Sequence, residues 1–119
     1  MIIRYTFPRS CRLLKTDEFL SVFNFSHRKS GKFLSVYAKP NVNAIARLGI
    51  VTGKKQLRTA VARNFAKRLI REEFRLYRAR LPAIDFVVRV TRPVNKSDAA
   101  IVRRELIYLF QKTGKCLDF

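Results

Sequence analysis

The sequence predicts an α+β fold, one sheet with helices packed on it. Three observations lead there. Hydrophobic periodicity along the chain reads helix, strand, strand, helix, strand, helix. The 119 residues sit near the modal size of one domain, and no repeat, low-complexity tract or linker divides them. Hydrophobic residues make up 48%, enough for one core and far above a disordered basic tail. Residues 1–119 are therefore expected to form a single domain.

After a basic, irregular lead-in, Thr16 reads as an N-cap, and Asp17 and Glu18 complement the dipole of a short helix reaching about Phe25. Phe19 and Phe23 share one stripe of it. From Phe33 to Lys39, Leu34, Val36 and Ala38 fall on one face and Phe33, Ser35 and Tyr37 on the other, a strand that Pro40 ends. Arg47–Thr52 is a second strand, stopped at Gly53, and Asp85–Thr91 a third, between Pro82 and Pro93. A long helix is expected from Thr59 to about Arg80, with Val61, Phe65, Leu69, Ile70, Phe74 and Tyr77 as its apolar positions. Ser97 is expected to cap a last helix, which carries Ile101, Val102, Leu106, Leu109 and Phe110 and stops at Gly114.

Charge is the anomaly. Lys and Arg number 26 against 8 Asp and Glu, a formal charge of +18, with a pI near 11.1. Such a surface repels itself, and counterion release from a phosphate backbone is the commonest favourable outlet, so nucleic acid is the first-choice partner. The N-terminal residues before Arg4 and Pro8 make no apolar stretch of signal-peptide length, and nowhere does an apolar run approach the roughly 20 residues of a membrane span. A soluble, cytoplasmic protein without membrane partners is expected. Cys11 and Cys116 lack the spacing of a zinc or redox motif and read as reduced and structurally minor.

The central helix concentrates that charge. At ~100° per residue, taking Val61 as zero, Val61, Phe65, Leu69 and Leu76 fall within roughly 0–80° and Ala66, Ile70 and Tyr77 within about 140–180°. Asn64, Lys67, Arg68, Arg71, Arg75 and Arg78 occupy roughly 240–340°. That arc holds five cations and one amide with no acid, flanked by Arg63, while Glu72 and Glu73 fall toward the other side. A solvated helix face ordinarily mixes signs in i, i+4 pairs. Upstream, Lys54, Lys55 and Arg58 extend the patch to the helix N-terminus, where free backbone N–H groups also favour phosphate. Gly49 to Lys55 superficially matches a phosphate-binding loop, but the glycines are one residue too close and Lys55 stands where Ser or Thr should hold magnesium. A nucleoside-triphosphate site is rejected.

Phe19, Phe23 and Tyr37 have two readings. An i, i+4 Phe pair can be core, or with Tyr37 it can wall a groove on which unpaired bases stack. For hydrolytic chemistry the chain is poorly equipped: one His, His27, reads as a surface residue beside Arg28 and Lys29, and Glu72 and Glu73 diverge by ~100° on their helix and cannot grip one ion from it. No side chain is assigned a catalytic role and no metal site is expected.

The segment Thr59 to Arg75 closely resembles the protein subunit of bacterial ribonuclease P. The family signature, Arg-Asn-Arg followed by Lys-Arg and then Arg, stands here as Arg63-Asn64, Lys67-Arg68 and Arg71. Leu13 to Phe19 and on to Phe23, Arg47 to Val51 with Gly53-Lys54-Lys55, and Leu81 to Val88 match in the family's order, from about residue 12 to 111. One position departs: Phe65 replaces the third signature residue, usually Arg, and by the wheel it packs inward or at the rim. The resemblance implies a two-layer α+β sandwich with one mixed sheet of about four strands, three helices and a left-handed βαβ crossover. It implies that the chain assists a catalytic RNA, which with magnesium removes the 5′ leader of precursor tRNA, the protein itself binding no cofactor. It further implies that the basic helix and its preceding loop, Lys54, Lys55, Arg58, Arg63, Asn64, Lys67, Arg68, Arg71 and Arg75, face that RNA. Phe19, Phe23 and Tyr37 match the cleft that holds the leader.

The alternative is a structural RNA-binding protein of the ribosomal kind, with the same basic face and no role in cleavage. Sequence-reading of DNA is disfavoured, since Asn64 is the arc's one amide and no turn and partner helix precede it.

Overall fold

The computed structural model describes residues 12–13, 16–25, 27–41 and 45–116, with no side chains described at 115 and 116. The lead-in and Cys11 lie outside the described residues, as does the Cys116 side chain. In chain order the elements are α1 (Thr16–Phe25), β1 (Arg28–Ser30), β2 (Leu34–Pro40), β3 (Arg47–Thr52), α2 (Ala60–Tyr77), β4 (Ile84–Val90) and α3 (Ala99–Cys116). The sheet runs β1-β2-β4-β3. β2 pairs antiparallel with β1 and β4, and β3 pairs parallel with β4, so β3-α2-β4 is a βαβ crossover unit in a mixed sheet.

Strand alternation decides what each face of the sheet does. Leu34, Val36, Ala38, Leu48, Phe86, Val88 and Val90 point to one side, where Ala66, Leu69, Ile70 and Phe74 of α2 and Val102, Leu106, Leu109 and Phe110 of α3 close the main core. Phe110 is its keystone, its ring edge-on to Phe74 and Phe86 at centroid distances of 5.9 and 5.0 Å. This is the expected sandwich of sheet and helices. The opposite face carries a smaller cluster, Leu13, Val22 and Val87, with Phe19, Phe23, Tyr37 and Val51 packed against it, and α1 lies over that face.

Several local expectations are corrected. β2 and β4 are shifted by one residue, to Leu34–Pro40 and Ile84–Val90; β1 pairs only with Ser35 to Tyr37, so Pro40 ends a strand that is open on that side. β1 is the strand the periodicity did not place, three exposed residues with no alternation to read. The last turn of the long helix tightens into a 3-10 turn over Arg78–Arg80. Ser97 is not the cap before α3: it lies inside a 3-10 turn whose cap is Asn95, in a reciprocal capping box with Asp98. Gly114 does not stop α3, which continues to Cys116. Val61 is 79% exposed, and Leu76 and Ile101 are also exposed. The buried stripe of α2 is Ala66, Leu69, Ile70 and Phe74, which centres near 150° on the wheel and leaves Leu76 at its edge and Val61 about 150° from its centre, on the solvent side. His27 is half-buried, not a surface residue, and its Nε2 is buried with no hydrogen-bond partner among the described residues. Its carbonyl accepts from Ala38 N–H, so the short link between α1 and β1 draws it against the sheet.

Two tethers set the position of the α1 face. Arg47 on β3 donates to Asp85 on β4 through Nε and Nη2, both at 2.7 Å, and to Glu18 on α1 through Nη1 at 2.8 Å. The Asp85 hydrogen bond, opposed by burial and supported by Glu18, pushes the Arg47 guanidinium above its already high pKa. At the far end of the sheet, the Glu105 carboxylate of α3 accepts the backbone N–H groups of Lys32, Phe33 and Leu34, pinning the β1-β2 turn. Gly31 makes that approach possible, because a Cβ there would collide with the Glu105 carboxylate.

Candidate nucleic-acid interface

The predicted basic arc exists as a surface. Thr59 caps α2, its Oγ1 accepting from Ala62 N–H at 3.0 Å. The opposite stripe is held in the main core, so the arc turns to solvent: Asn64, Arg68 and Arg71 are exposed, Lys67 and Arg75 half-buried. Asn64, Arg68, Arg71 and Arg75 line a depression of about 340 Å³ together with Arg12 and Glu72. Glu72 thus brings one acid to the rim, where it also meets Arg103 of α3 at 3.6 Å. Lys54 and Lys55 stand exposed in the turn before α2, and Arg58 is exposed beside the buried anchor Leu57. Arg63 is different from the rest. Its Nη1 donates to the Leu57 carbonyl at 3.0 Å and reaches that of Arg58 at 3.4 Å, so it braces the preceding loop. Phe65 is half-buried against the main core, as the wheel required.

The three aromatics also come together, with a division the sequence left open. Phe23 and Tyr37 meet edge-on, with centroids 4.7 Å apart, and all three rings pack on the small cluster while remaining half-exposed. The rings expected to wall a groove are thus also packed on a core cluster. Phe19 lies so close to β3 that a Cβ at Gly49 would sit 2.6 Å from its ring, so glycine at 49 is what lets α1 close onto the sheet.

Register supplies the floor beside them. Tyr37 pairs with Arg28 and Val87, and Ser35 with Ser30 and Arg89, so these side chains share the α1 face with Val51, which pairs with Arg89. The Arg28 guanidinium lies 5.8 Å from the Tyr37 ring centroid, and Arg89 is exposed. The α1 face of the sheet therefore carries aromatic rings beside cations, a combination suited to stacking bases while meeting their phosphates.

The arc and the groove adjoin. Phe19, Leu13, Leu48, Gly49 and Ile50 share a small concavity of about 160 Å³ with Lys67, Arg71 and Arg12. It wraps the outer edge of β3, which the segment at Arg12 and Leu13 partly covers: Arg12 forms a parallel bridge to Leu48, and Leu13 N–H donates to the Leu48 carbonyl at 2.9 Å. Arg12, Arg28 and Arg89 are the candidate binding residues that the sequence reading missed. Arg89 was recoverable from strand parity with Tyr37; Arg12 was not, since its place depends on a lone bridge.

Among the described residues no three His, Cys, Asp or Glu side chains form a group that could hold a metal ion. No described helix is long and apolar enough to cross a membrane.

Comparisons with known proteins converge on one family. The model of the Ribonuclease P family matches residues 7–114. The chain is 44% identical over 112 residues to the ribonuclease P protein component of Chromobacterium violaceum, covering 94% of this chain and 93% of that one. It is 46% identical over 102 residues to the component of Methylococcus capsulatus, covering 86% and 80%. Among solved structures, the RNase P protein of Staphylococcus aureus superposes with a TM-score of 0.78 at 28% identity, over 86% of this chain and 94% of that one. That of Thermotoga maritima does so with 0.71 at 28%, over 85% and 96%. With its α+β fold of three helices and one mixed four-stranded sheet, this chain belongs to the ribonuclease P protein family, the protein component of a tRNA-processing endoribonuclease.

Proposed function

We propose that the chain serves, in the cytoplasm, as an RNA-binding subunit with two faces, one for the catalytic RNA of the enzyme and one for the 5′ leader of precursor tRNA. The observation that carries this reading is the junction around the edge of β3, where the arc of Lys67 and Arg71 meets Phe19 of the aromatic groove. A folded RNA presents closely spaced phosphates, and the arc of Lys54, Lys55, Arg58, Asn64, Lys67, Arg68, Arg71 and Arg75 offers cations and few hydrogen-bond acceptors to meet them. A leader is single-stranded, and its unpaired bases are what Phe19, Phe23 and Tyr37 can stack. Holding both RNAs along one edge aligns the leader with the catalytic RNA, which lowers the entropy cost of bringing the cleavage site to it.

The acids of the chain support giving the hydrolysis to the RNA and its magnesium. Glu18 and Asp85 hold Arg47, Glu72 and Glu73 hold Arg103, Asp98 caps a turn and Glu105 binds backbone amides. Each of these six is engaged within the fold; of the other two, Asp17 is exposed in the first turn of α1 and Asp118 lies outside the described residues. The test is cleavage of precursor tRNA by the catalytic RNA at low magnesium, with and without this chain. Faster cleavage and tighter precursor binding with the chain are expected; a chain that binds the RNA yet leaves both unchanged would contradict the reading.

A further inference from the structure

A second concavity lies on the side of the sheet away from the aromatic groove. Between the turn that ends α2 and the last turns of α3 is a pocket of about 790 Å³, within the range of small-ligand sites. Its apolar lining is Ala79, Leu81 and Pro82, bordered by Phe110, which is itself fully buried. Its walls carry Tyr77 and Tyr108, and each ring has a cation beside it. Arg80 Cζ lies 5.7 Å from the Tyr77 centroid and Lys112 Nζ 5.5 Å from that of Tyr108. Gln111 Nε2 donates to the Tyr77 hydroxyl at 2.8 Å, which fixes that ring and leaves the Gln111 carbonyl to accept from a ligand. Among the described lining residues there is no acid. Tyr108 is 57% exposed, an aromatic face held open to solvent next to a charge.

Two aromatic faces, two cations and an amide are the groups that recognise a nucleotide: rings for the base, charge for the phosphate, amide for the base edge. We propose that this pocket takes one unpaired nucleotide of the catalytic RNA. An exposed cation–π contact is weak beside base stacking, so an entering base can take a ring face while Arg80 or Lys112 turns to its phosphate. Placement decides which RNA. Along the chain, Arg75 and Arg78 of the α2 arc are followed directly by Ala79 and Arg80 of the pocket lining, whereas the groove assigned to the leader lies on the other face of the sheet. The inference rests on the arc being the face for the catalytic RNA.

The test measures affinity of the full chain for the catalytic RNA alone, then of the assembled enzyme for precursor and mature tRNA. Tyr108→Ala is expected to lower affinity for the catalytic RNA about tenfold, Tyr108→Phe to retain it, and Lys112→Ala to flatten the salt dependence by roughly one unit of slope. The tRNA affinities of the assembled enzyme should not move. Arg68→Ala separates this proposal from the arc reading. If Arg68→Ala weakens binding and Tyr108→Ala does not, the pocket is overturned and the arc stands; if neither does, both fall. A loss confined to precursor tRNA would give the pocket to the substrate and overturn the assignment. So would self-association of the chain that Tyr108→Ala abolishes, which would make the pocket a protein contact.

Discussion

The basic arc of α2 and the aromatic groove under α1 are built on opposite plans. On α2 the core and the binding surface occupy different sides of one helix: Ala66, Leu69, Ile70 and Phe74 are buried, and Asn64, Arg68 and Arg71 face water. Binding groups there can change without disturbing packing. In the groove Phe19, Phe23 and Tyr37 are half-buried on a cluster whose buried members among the described residues are Leu13, Val22 and Val87, so the rings that would stack on bases also hold α1 to the sheet. Function and stability are separable on the first surface and share atoms on the second.

The largest expected effect comes from the tether between the two. Arg47→Ala removes the cation that pairs with Asp85 and Glu18 and should cost about 3 kcal/mol of stability, because it leaves a largely buried carboxylate with the neutral amide of Asn41 in place of a counter-charge. Chemical denaturation measures it, and binding of precursor tRNA should fall more than binding of the catalytic RNA. A change under about 1 kcal/mol would show that the small cluster alone positions α1. Next is Phe23→Ala. A fully buried Phe costs 3 to 5 kcal/mol on truncation, and a half-buried one about 2, so this variant should lose stability and leader binding together. Smaller in stability is Arg68→Ala, expected within about 0.5 kcal/mol of the parent. It should weaken binding of the catalytic RNA and reduce the salt slope by roughly one. Smallest is the response to simple anions: sulfate should raise the melting midpoint above chloride of equal ionic strength by preferential binding to the folded state. The double variant Arg68→Ala with Arg71→Ala should respond less.

The same contrast explains what was legible in the sequence. The arc could be read in advance because it is local: a single-sign face recurs every three or four residues of one helix, and the wheel places it without tertiary knowledge. Val61 was still misjudged, because the apolar arc was drawn around Val61 itself, whereas the stripe that meets the core centres near 150° from it. β1 gave no signal, being three exposed residues that are a strand only through pairing with Ser35 to Tyr37. The groove was half legible. Spacing put Phe19 and Phe23 on one stripe and Tyr37 on the outer face of its strand, but whether they were core or wall depended on how far α1 closes, which Gly49 and the Arg47 tether decide. Glu105 could not be assigned from the sequence at all, because its amide partners at Lys32 to Leu34 lie more than 70 positions away.

The central claim is that the groove reads the leader and the arc does not. It is tested most directly by the ratio of precursor to mature tRNA affinity in an enzyme assembled with Tyr37→Ala, at chain concentrations that saturate the catalytic RNA and with folding verified. The account predicts that precursor binding weakens by about 1 to 3 kcal/mol while mature tRNA, which lacks a leader, binds as before. Equal losses for both, or an unchanged ratio in a folded variant, would contradict it.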